Sequence, residues 1–336
     1  MPNGTVRGIS IWQACSAVPR VSKDAWHASS FAARWLIASR APVLVMTFSS
    51  AAVGGVLAGL AGPVDGVAWA LCVLGLLLAH ATNNQLNDFT DSALGIDRGN
   101  YFRNRYGAHV LEDGLLSRRQ LFVSIALTGA VALAIGACLS LRIGPAVLRP
   151  LGAGAFFLLF YTYPLKRLGL GEIAVLLVWG PLMTGGSYLA ATGAWSNWAA
   201  LIGVVQALPP TTVIFGKHID KLSFDAAKGI RTMPVRLGAT RARAAVIAML
   251  TLPYVSVPIL VTFGRLPWTA LVIFAALPRA MRVSRVFRTQ SPVIRPPDYP
   301  ADVWPLWYSA HAFDHARAFG LLLLAGLLAA WIAGSR

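Results

Sequence analysis

A dense group of carboxylates and side-chain amides lies between residues 83 and 97, directly after a strongly apolar run. Asn84, Asp88 and Asp91 are spaced at i, i+4 and i+7, so a helix presents them on one face, and Asn87 precedes Asp91 by four positions. Polar groups at membrane depth are costly and usually mark functional or paired sites. A face of oxygen ligands with no adjacent base indicates a divalent cation, for which Mg²⁺ carrying substrate phosphates is the best match.

A second polar region begins at Lys217 and contains two acids, Asp220 and Asp225, among seven basic residues that end at Arg243. Both polar regions follow even-numbered apolar stretches, so both are expected on the same side of a membrane. Two acidic clusters surrounded by Lys and Arg fit a diphosphate bridged by Mg²⁺. If the substrate is an allylic diphosphate, its loss of diphosphate leaves a carbocation, which an aromatic face such as that of Tyr161 can stabilise.

The composition places these residues in a membrane protein. The chain has 336 residues, of which 56% are hydrophobic and 12% charged, whereas soluble domains average roughly 25% charged residues. No strand-like alternation appears, so the predicted fold class is all-α: a polytopic bundle of nine transmembrane helices with cytoplasmic cap loops. The predicted spans lie near 41–62, 67–87, 119–139, 146–163, 172–191, 198–216, 243–263, 266–284 and 316–334.

The basic residues are distributed unevenly across this topology. With a cytoplasmic N-terminus, the inside segments hold 25 of the 29 Lys and Arg residues, which satisfies the positive-inside rule. The net charge of +16 is therefore explained without nucleic acid, and a basic inner face can also contact anionic membrane lipids. We expect an integral protein of the bacterial inner membrane with its active site on the cytoplasmic side.

The chain is predicted to divide into a cytoplasmic N-terminal segment, 1–33, and a single transmembrane domain, 34–336. Around the boundary, residues 25–37 are predicted to form an amphipathic helix on the inner membrane surface. Three aromatic residues are its expected interface anchors: Trp26, Phe31 and Trp35.

Three separated motifs show a family resemblance. The pattern Asn84-x2-Asn87-Asp88-x2-Asp91-x5-Asp97 resembles the first aspartate-rich motif of the UbiA superfamily of intramembrane prenyltransferases. Its form is most similar to the branch that prenylates dihydroxynaphthoate in menaquinone synthesis. Two further stretches are similar to the same family: Gly169-Leu-Gly-Glu172 followed by Gly180-Pro181, and Asp225-x3-Gly229-x2-Thr232 followed by Leu237-Gly238.

The resemblance implies a Mg²⁺-dependent prenyltransferase with a polyprenyl diphosphate donor, two Mg²⁺ ions, and an acceptor that loses a proton. The expected acceptor is an aromatic quinone precursor, alkylated electrophilically. The expected metal ligands are Asn84, Asp88, Asp91 and Asp225. The residues expected to bind the diphosphate are Lys217, Lys221, Arg103 and Arg105. Further expected substrate contacts are Asn87, Asp220, Tyr161 and Glu172.

The second motif departs from the family pattern, which usually pairs aspartates four residues apart. Here Lys221 stands four residues before Asp225, and the nearest acid, Asp220, stands five before it. In a regular helix an i, i+5 pair points roughly 140° apart. Either the helix is broken here, or Asp220 and Asp225 do not share a metal ion, and a lysine contacts phosphate directly.

Two other interpretations remain open. The acceptor of a superfamily member can instead be a carotenoid, a chlorophyll precursor, haem or a sugar phosphate. From another class, an ion-coupled transporter also buries carboxylates in a helical bundle. Transporters usually place such groups near the bilayer midplane, whereas these clusters lie at the predicted cytoplasmic helix ends, which favours the enzyme.

Overall fold

The computed structural model describes residues 7–97 and 107–334, and all regular structure in those ranges is helical. Three short helices precede the bundle: α1 (Ile11–Ser16), α2 (Lys23–Ala28) and α3 (Phe31–Ala38). The first half of the bundle contains α4 (Leu44–Ala61), α5 (Gly66–Ala93), α6 (Arg118–Ile143), α7 (Leu148–Phe160), α8 (Gly171–Leu177) and α9 (Gly186–Thr192). The second half contains α10 (Asn197–Asp220), α11 (Leu222–Ala227), α12 (Met233–Thr262), α13 (Leu277–Arg288) and α14 (Tyr308–Ile332).

The predicted all-α polytopic fold is confirmed, and the predicted number of spans is approximate. Within residues 7–97 and 107–334, eight helical segments are long and apolar enough to cross a membrane. The predicted span at 266–284 instead consists of a 3₁₀ segment, Trp268–Ala276, continued by the arginine-rich α13. Its apolar half still packs on α14, where the Thr269 hydroxyl donates to the Gly326 carbonyl at 2.6 Å.

Helix α10 is the central element of the bundle, because it packs against α12, α14 and the kinked segment between α8 and α9. The N-terminal half of α10 joins an apolar core. That core includes Val56, Val257, Phe319 and Leu323, all fully buried. This core holds α10 in place, and the polar C-terminal end of α10 is thereby positioned beside the polar end of α5.

The fifth predicted span is kinked at Gly180-Pro181. Gly180 adopts a non-helical conformation (φ −88°, ψ −108°), and Pro181 removes a backbone donor from the helix. A Cβ atom on Gly203 of α10 would lie 2.7 Å from the Gly180 carbonyl oxygen, so this close approach requires glycine. Both α8 and the kinked segment pack against α10.

The N-terminal segment differs from its prediction. Instead of one helix, Ser29 and Ser30 separate α2 from α3, and the Ser30 side chain caps α3 by accepting from the Ala33 amide. Trp26 is not an interface anchor: it is 1% exposed and packs in a cluster with Val110 and Leu121. The predicted domain boundary at 33/34 falls inside α3, and the division into two parts stays a prediction.

Candidate active site

The two polar regions of the sequence meet in one pocket at the end of the bundle. Its walls come from the C-terminal halves of α5 and α10, the loop before α4, and the segment that follows α7. The lining residues are Arg40, Asn87, Asp91, Asp97, Tyr161, Lys166, Lys217, His218 and Lys221. The structure thus brings together five of the predicted site residues: Asn87, Asp91, Tyr161, Lys217 and Lys221.

The predicted polar face of α5 exists and is buried. Asn84 is 8% exposed, Asp88 2% and Asp91 6%. The Asn84 amide nitrogen donates to the Ser39 carbonyl at 2.9 Å, so the orientation of its side-chain oxygen is set. Asn87 accepts from the Thr162 hydroxyl at 3.2 Å.

A basic side chain accompanies each of the three aspartates that the sequence predicts as metal ligands. Arg40 forms an ion pair with Asp88. Lys166 Nζ lies 2.7 Å from Asp91 Oδ2. The third pair belongs to the second motif and is described below. Isolated buried carboxylates are unfavourable, and a cation with good geometry offsets that cost.

Lys166 is itself buried, with 4% of its surface exposed. Burial disfavours its ammonium form, but the neighbouring Asp91 carboxylate more than compensates, and the pKa of Lys166 is raised above its ordinary value. Lys166 therefore stays charged at neutral pH, at the wall of the pocket.

The second motif shows a broken helix, one of the two possibilities left by its sequence. Helix α10 ends at Asp220, and Lys221 (φ −108°, ψ 13°) separates it from α11. Lys221 Nζ lies 3.5 Å from Asp225 Oδ1, and both side chains are nearly buried. Lysine thus stands where the family pattern has a second aspartate, and it pairs with the aspartate that remains.

Asp220 lies apart from the pocket. Its two carboxylate oxygens accept the backbone amides of Tyr308 and Ser309, each at 3.0 Å. These amides belong to the first turn of α14, whose unpaired donors favour an acidic partner. The geometry assigns Asp220 to capping α14, and we do not retain it among the proposed substrate contacts.

Two of the buried carboxylate oxygens that lack a hydrogen-bond partner among the described residues belong to predicted metal ligands. Within the described part of the chain, Asp91 Oδ1 and Asp225 Oδ2 have no hydrogen-bond partner. Buried acceptors are normally satisfied, so such atoms require an explanation. Carboxylate oxygens of this kind are ligands that Mg²⁺ prefers, and the residues present fit a divalent cation.

A further group lies beside this face. Asp88, Asp97 and His109 each offer a ligand atom, and these atoms lie within 4.8 Å of one another. His109 is fully buried, and its Nε2 lies 2.8 Å from Asp97 Oδ2. His109 orients Asp97, the last aspartate of the first motif, toward the pocket that Asp97 lines.

Glu172 does not line the pocket, but it contacts a residue that does. Its Oε1 lies 2.6 Å from His218 Nδ1, and it also accepts the Met233 backbone amide at 3.2 Å. Two remaining predicted residues, Arg103 and Arg105, lie outside the described residues.

Four residues of the site were missed by reasoning from the sequence: Arg40, His109, Lys166 and His218. Arg40 and Lys166 are basic residues at predicted inner helix ends, where the positive-inside rule already accounts for them. His109 lies within a long loop and His218 lies beside Lys217. The two have no spacing typical of metal ligands. A signal was nevertheless present for Arg40, Lys166 and His218, because each stands close in sequence to a motif or a span end.

Comparisons with known proteins identify similar sequences. The sequence profile of the UbiA prenyltransferase family matches residues 47–294. The chain is 31% identical over 264 residues to a 2-carboxy-1,4-naphthoquinone phytyltransferase of Synechocystis sp., covering 75% of this chain and 81% of that protein. It is 27% identical over 221 residues to a 1,4-dihydroxy-2-naphthoate octaprenyltransferase of Haemophilus influenzae, covering 62% and 70%.

Solved structures show the same fold. An apo UbiA homologue from Aeropyrum pernix K1 superimposes with a TM-score of 0.64 at 22% identity, covering 86% of this chain and 98% of that one. A UbiA homologue from Archaeoglobus fulgidus bound to GPP and Mg²⁺ gives a TM-score of 0.57 at 16% identity, covering 88% and 99%. At these identities the likeness concerns the fold alone.

Proposed function

This chain belongs to the UbiA prenyltransferase family, and from that membership we propose that it transfers a polyprenyl group to an aromatic quinone precursor within the membrane. The donor is a polyprenyl diphosphate. The main support is that Asp91 of the first motif and Lys221 of the second line the same pocket, at the polar end of an apolar bundle. The basic lining of the pocket suits a charged diphosphate, and the apolar helices suit an isoprenoid chain.

Mg²⁺ would be held through Asn84, Asp88, Asp91 and Asp225, of which Asp91 lines the pocket. The unpartnered oxygens of Asp91 and Asp225 support this assignment, as does the fold shared with a homologue whose structure contains GPP and Mg²⁺. When bound, Mg²⁺ neutralises charge on the diphosphate leaving group. Lys221 stands where the family pattern has an aspartate. The second motif therefore supplies fewer carboxylate ligands than the first motif on α5.

The basic side of the pocket would bind the phosphate oxygens directly. Arg40, Lys166, Lys217 and Lys221 line it, and an arginine can contact two phosphate oxygens at once. Three of these cations are near aspartates, so they stand next to the proposed metal ligands. They therefore lie where charge develops as the bond between the prenyl carbon and the diphosphate oxygen breaks.

The aromatic acceptor is proposed from the relatives. Two of them are named for naphthoquinone and dihydroxynaphthoate substrates. Tyr161 lines the pocket and presents an aromatic ring where a prenyl cation would form. We place the pocket at the cytoplasmic face of a bacterial inner membrane, on the basis of the lysine and arginine asymmetry.

The proposal is tested with purified protein in lipid nanodiscs. Labelled geranylgeranyl diphosphate is supplied with a panel of acceptors that includes dihydroxynaphthoate, a hydroxybenzoate, a chlorophyll precursor and a sugar phosphate. We expect a prenylated naphthoate that forms with Mg²⁺ and not with EDTA. Product with another acceptor would move the assignment within the family, and no product with any acceptor would contradict it. Ion flux in sealed vesicles would support the transporter alternative.

A further inference from the structure

A buried glutamate and histidine pair lies behind one wall of the pocket. Glu172 is 1% exposed and His218 is 2% exposed, and Glu172 Oε1 lies 2.6 Å from His218 Nδ1. They come from different helices, α8 and α10, and 46 residues separate them. His218 lines the pocket, whereas Glu172 stands behind it.

Two helix starts meet at Glu172. It lies in the first turn of α8, and its Oε1 accepts the amide of Met233, the first residue of α12. Helix N-termini stabilise negative charge, so two helices act on this carboxylate. Its other oxygen, Oε2, is buried with no hydrogen-bond partner within the described ranges. Glu172 Oε1, which already accepts the Met233 amide, is thus placed to accept a hydrogen bond from Nδ1 of His218.

This contact determines which ring nitrogen of His218 faces the substrate. With the Nδ1 proton directed at Glu172, a neutral imidazole has its lone pair on Nε2. No described side chain forms a hydrogen bond with Nε2. Four cations also line this pocket: Arg40, Lys166, Lys217 and Lys221. These cations already provide the positive charge that a diphosphate needs.

We propose that His218 is the general base that removes the hydroxyl proton of the aromatic acceptor, and that Glu172 is a positioning residue that holds the imidazole with Nε2 toward the pocket. The inference rests on the proposed function, which it deepens by naming the proton acceptor. It also defines the acceptor class: an aromatic ring with an ionisable hydroxyl next to the carbon that is alkylated.

The step balances as follows. The acceptor O–H bond breaks, and its proton moves to His218 Nε2. The oxygen electron pair enters the ring, and the adjacent ring carbon forms a bond to the prenyl carbon. The bond from that prenyl carbon to oxygen breaks, and its electron pair leaves with the diphosphate. The alkylated ring carbon then loses its hydrogen as a proton to water, and the electron pair of that C–H bond restores the aromatic ring. The ring oxygen regains its electron pair and takes back a proton from the protonated His218.

The test compares wild type and His218→Gln with a series of ring-substituted dihydroxynaphthoates whose hydroxyl groups differ in acidity. A general base contributes about 10²- to 10⁴-fold to a rate. We expect kcat for the least acidic acceptor to fall about 100-fold, and the loss to shrink below about tenfold for the most acidic acceptor. The KM for the diphosphate donor should change less than kcat does.

Two further variants make the result specific. Glu172→Gln keeps the size of the side chain and should show the same dependence on acceptor acidity. Combined with His218→Gln, it should cause no further loss of kcat. It also serves as the test should His218→Gln fail to fold. The matched control is His315→Gln, which removes another buried histidine, one that contacts Tyr254 at 2.9 Å and does not line the pocket. Any loss in that control should be equal for all acceptors.

An equal loss across the acceptor series in His218→Gln and Glu172→Gln would overturn the proposal and indicate a structural pair. A loss confined to the donor KM would also overturn it, because His218 would then bind phosphate. Failure of the proposed function is distinguishable, since it would already appear as absent transfer in the wild type.

Discussion

Lys166 Nζ lies 2.7 Å from Asp91 Oδ2, and both side chains are nearly buried although 75 residues separate them. The pair joins the end of α5 to the segment after α7. It combines in one contact a proposed metal ligand and a proposed phosphate ligand. The same combination recurs at Asp88 with Arg40 and at Asp225 with Lys221, so opposite charges meet throughout the site.

Removing only the charge of Asp91 should therefore affect both activity and stability. Asp91→Asn leaves the Lys166 ammonium buried without its counter-ion, and breaking such a pair costs about 3–5 kcal/mol. We expect prenyl transfer to be lost and the free energy of unfolding to fall by an amount of this order. Adding Lys166→Met should recover much of the stability and none of the activity. Thermal unfolding and transfer assays measure the two effects, and full activity in Asp91→Asn would exclude Asp91 as a metal ligand.

Replacing Lys221 by aspartate restores the family spacing of two aspartates four residues apart. Lys221→Asp places two carboxylates together, and the number of charged ligands sets the affinity of a cation site. We expect the Mg²⁺ concentration for half-maximal transfer to fall about tenfold, with donor KM rising because one cation is lost. In EDTA the variant should unfold at a lower temperature than wild type. Lys221→Met is the control: it should raise donor KM without tightening the Mg²⁺ requirement.

Asp220 should matter for folding and not for transfer. Asp220→Ala leaves the amides of Tyr308 and Ser309 without their acceptor, and loss of a helix cap costs about 0.5–2 kcal/mol. We expect a lower melting temperature and an unchanged donor KM in the folded protein. Asp220→Asn should lose less stability, because its side-chain oxygen still accepts one amide. A raised donor KM in either variant would return Asp220 to the substrate site.

A pH effect is expected at the opposite end of the bundle. Asp65 caps α5, and Arg142 lies 2.6 Å from its Oδ2. The Arg142 hydrogen bond holds the pKa of Asp65 below its ordinary value of 3.8. A depressed carboxyl pKa stabilises the fold above the unfolded-state pKa, and this contribution disappears as the pH falls through the folded-state pKa. Asp65→Asn should thus melt below wild type at pH 7, with the gap closing on acidification below about pH 4. A constant gap would contradict the linkage.

The proposed orientation can be measured with single cysteines in a background in which Cys15, Cys72 and Cys138 are replaced by serine. Ala194→Cys lies in the exposed turn after α9, and Thr289→Cys lies in the exposed turn after α13. Membrane-impermeant maleimide added to intact cells should label Ala194→Cys and leave Thr289→Cys unlabelled until the cells are opened. The reverse pattern would place the pocket on the outer side.

The sequence was sufficient for the helical class, for most spans and for the buried polar face of α5. The spans could be predicted because the length of an apolar stretch is a local property of the sequence. The polar face of α5 could be predicted because a helix repeats every 3.6 residues. The prediction was least accurate at 266–284, where apolar content and arginines share one stretch, and at Trp26, whose aromatic ring packs inside a cluster that includes Val110.

The sequence by itself thus determined which residue types lie at which helix ends. Through the family motifs it also indicated the kind of chemistry. Only the tertiary structure decided the pairings. Arg40 pairs with Asp88 across 48 residues, His218 with Glu172 across 46, and Asp220 turns away from Asp225 to cap α14 across 88. Hydropathy and helical period are local along the chain, whereas a buried charge selects its partner from whatever the packed helices bring near it. For that reason the roles of Asp220 and His218 became apparent only from the folded bundle.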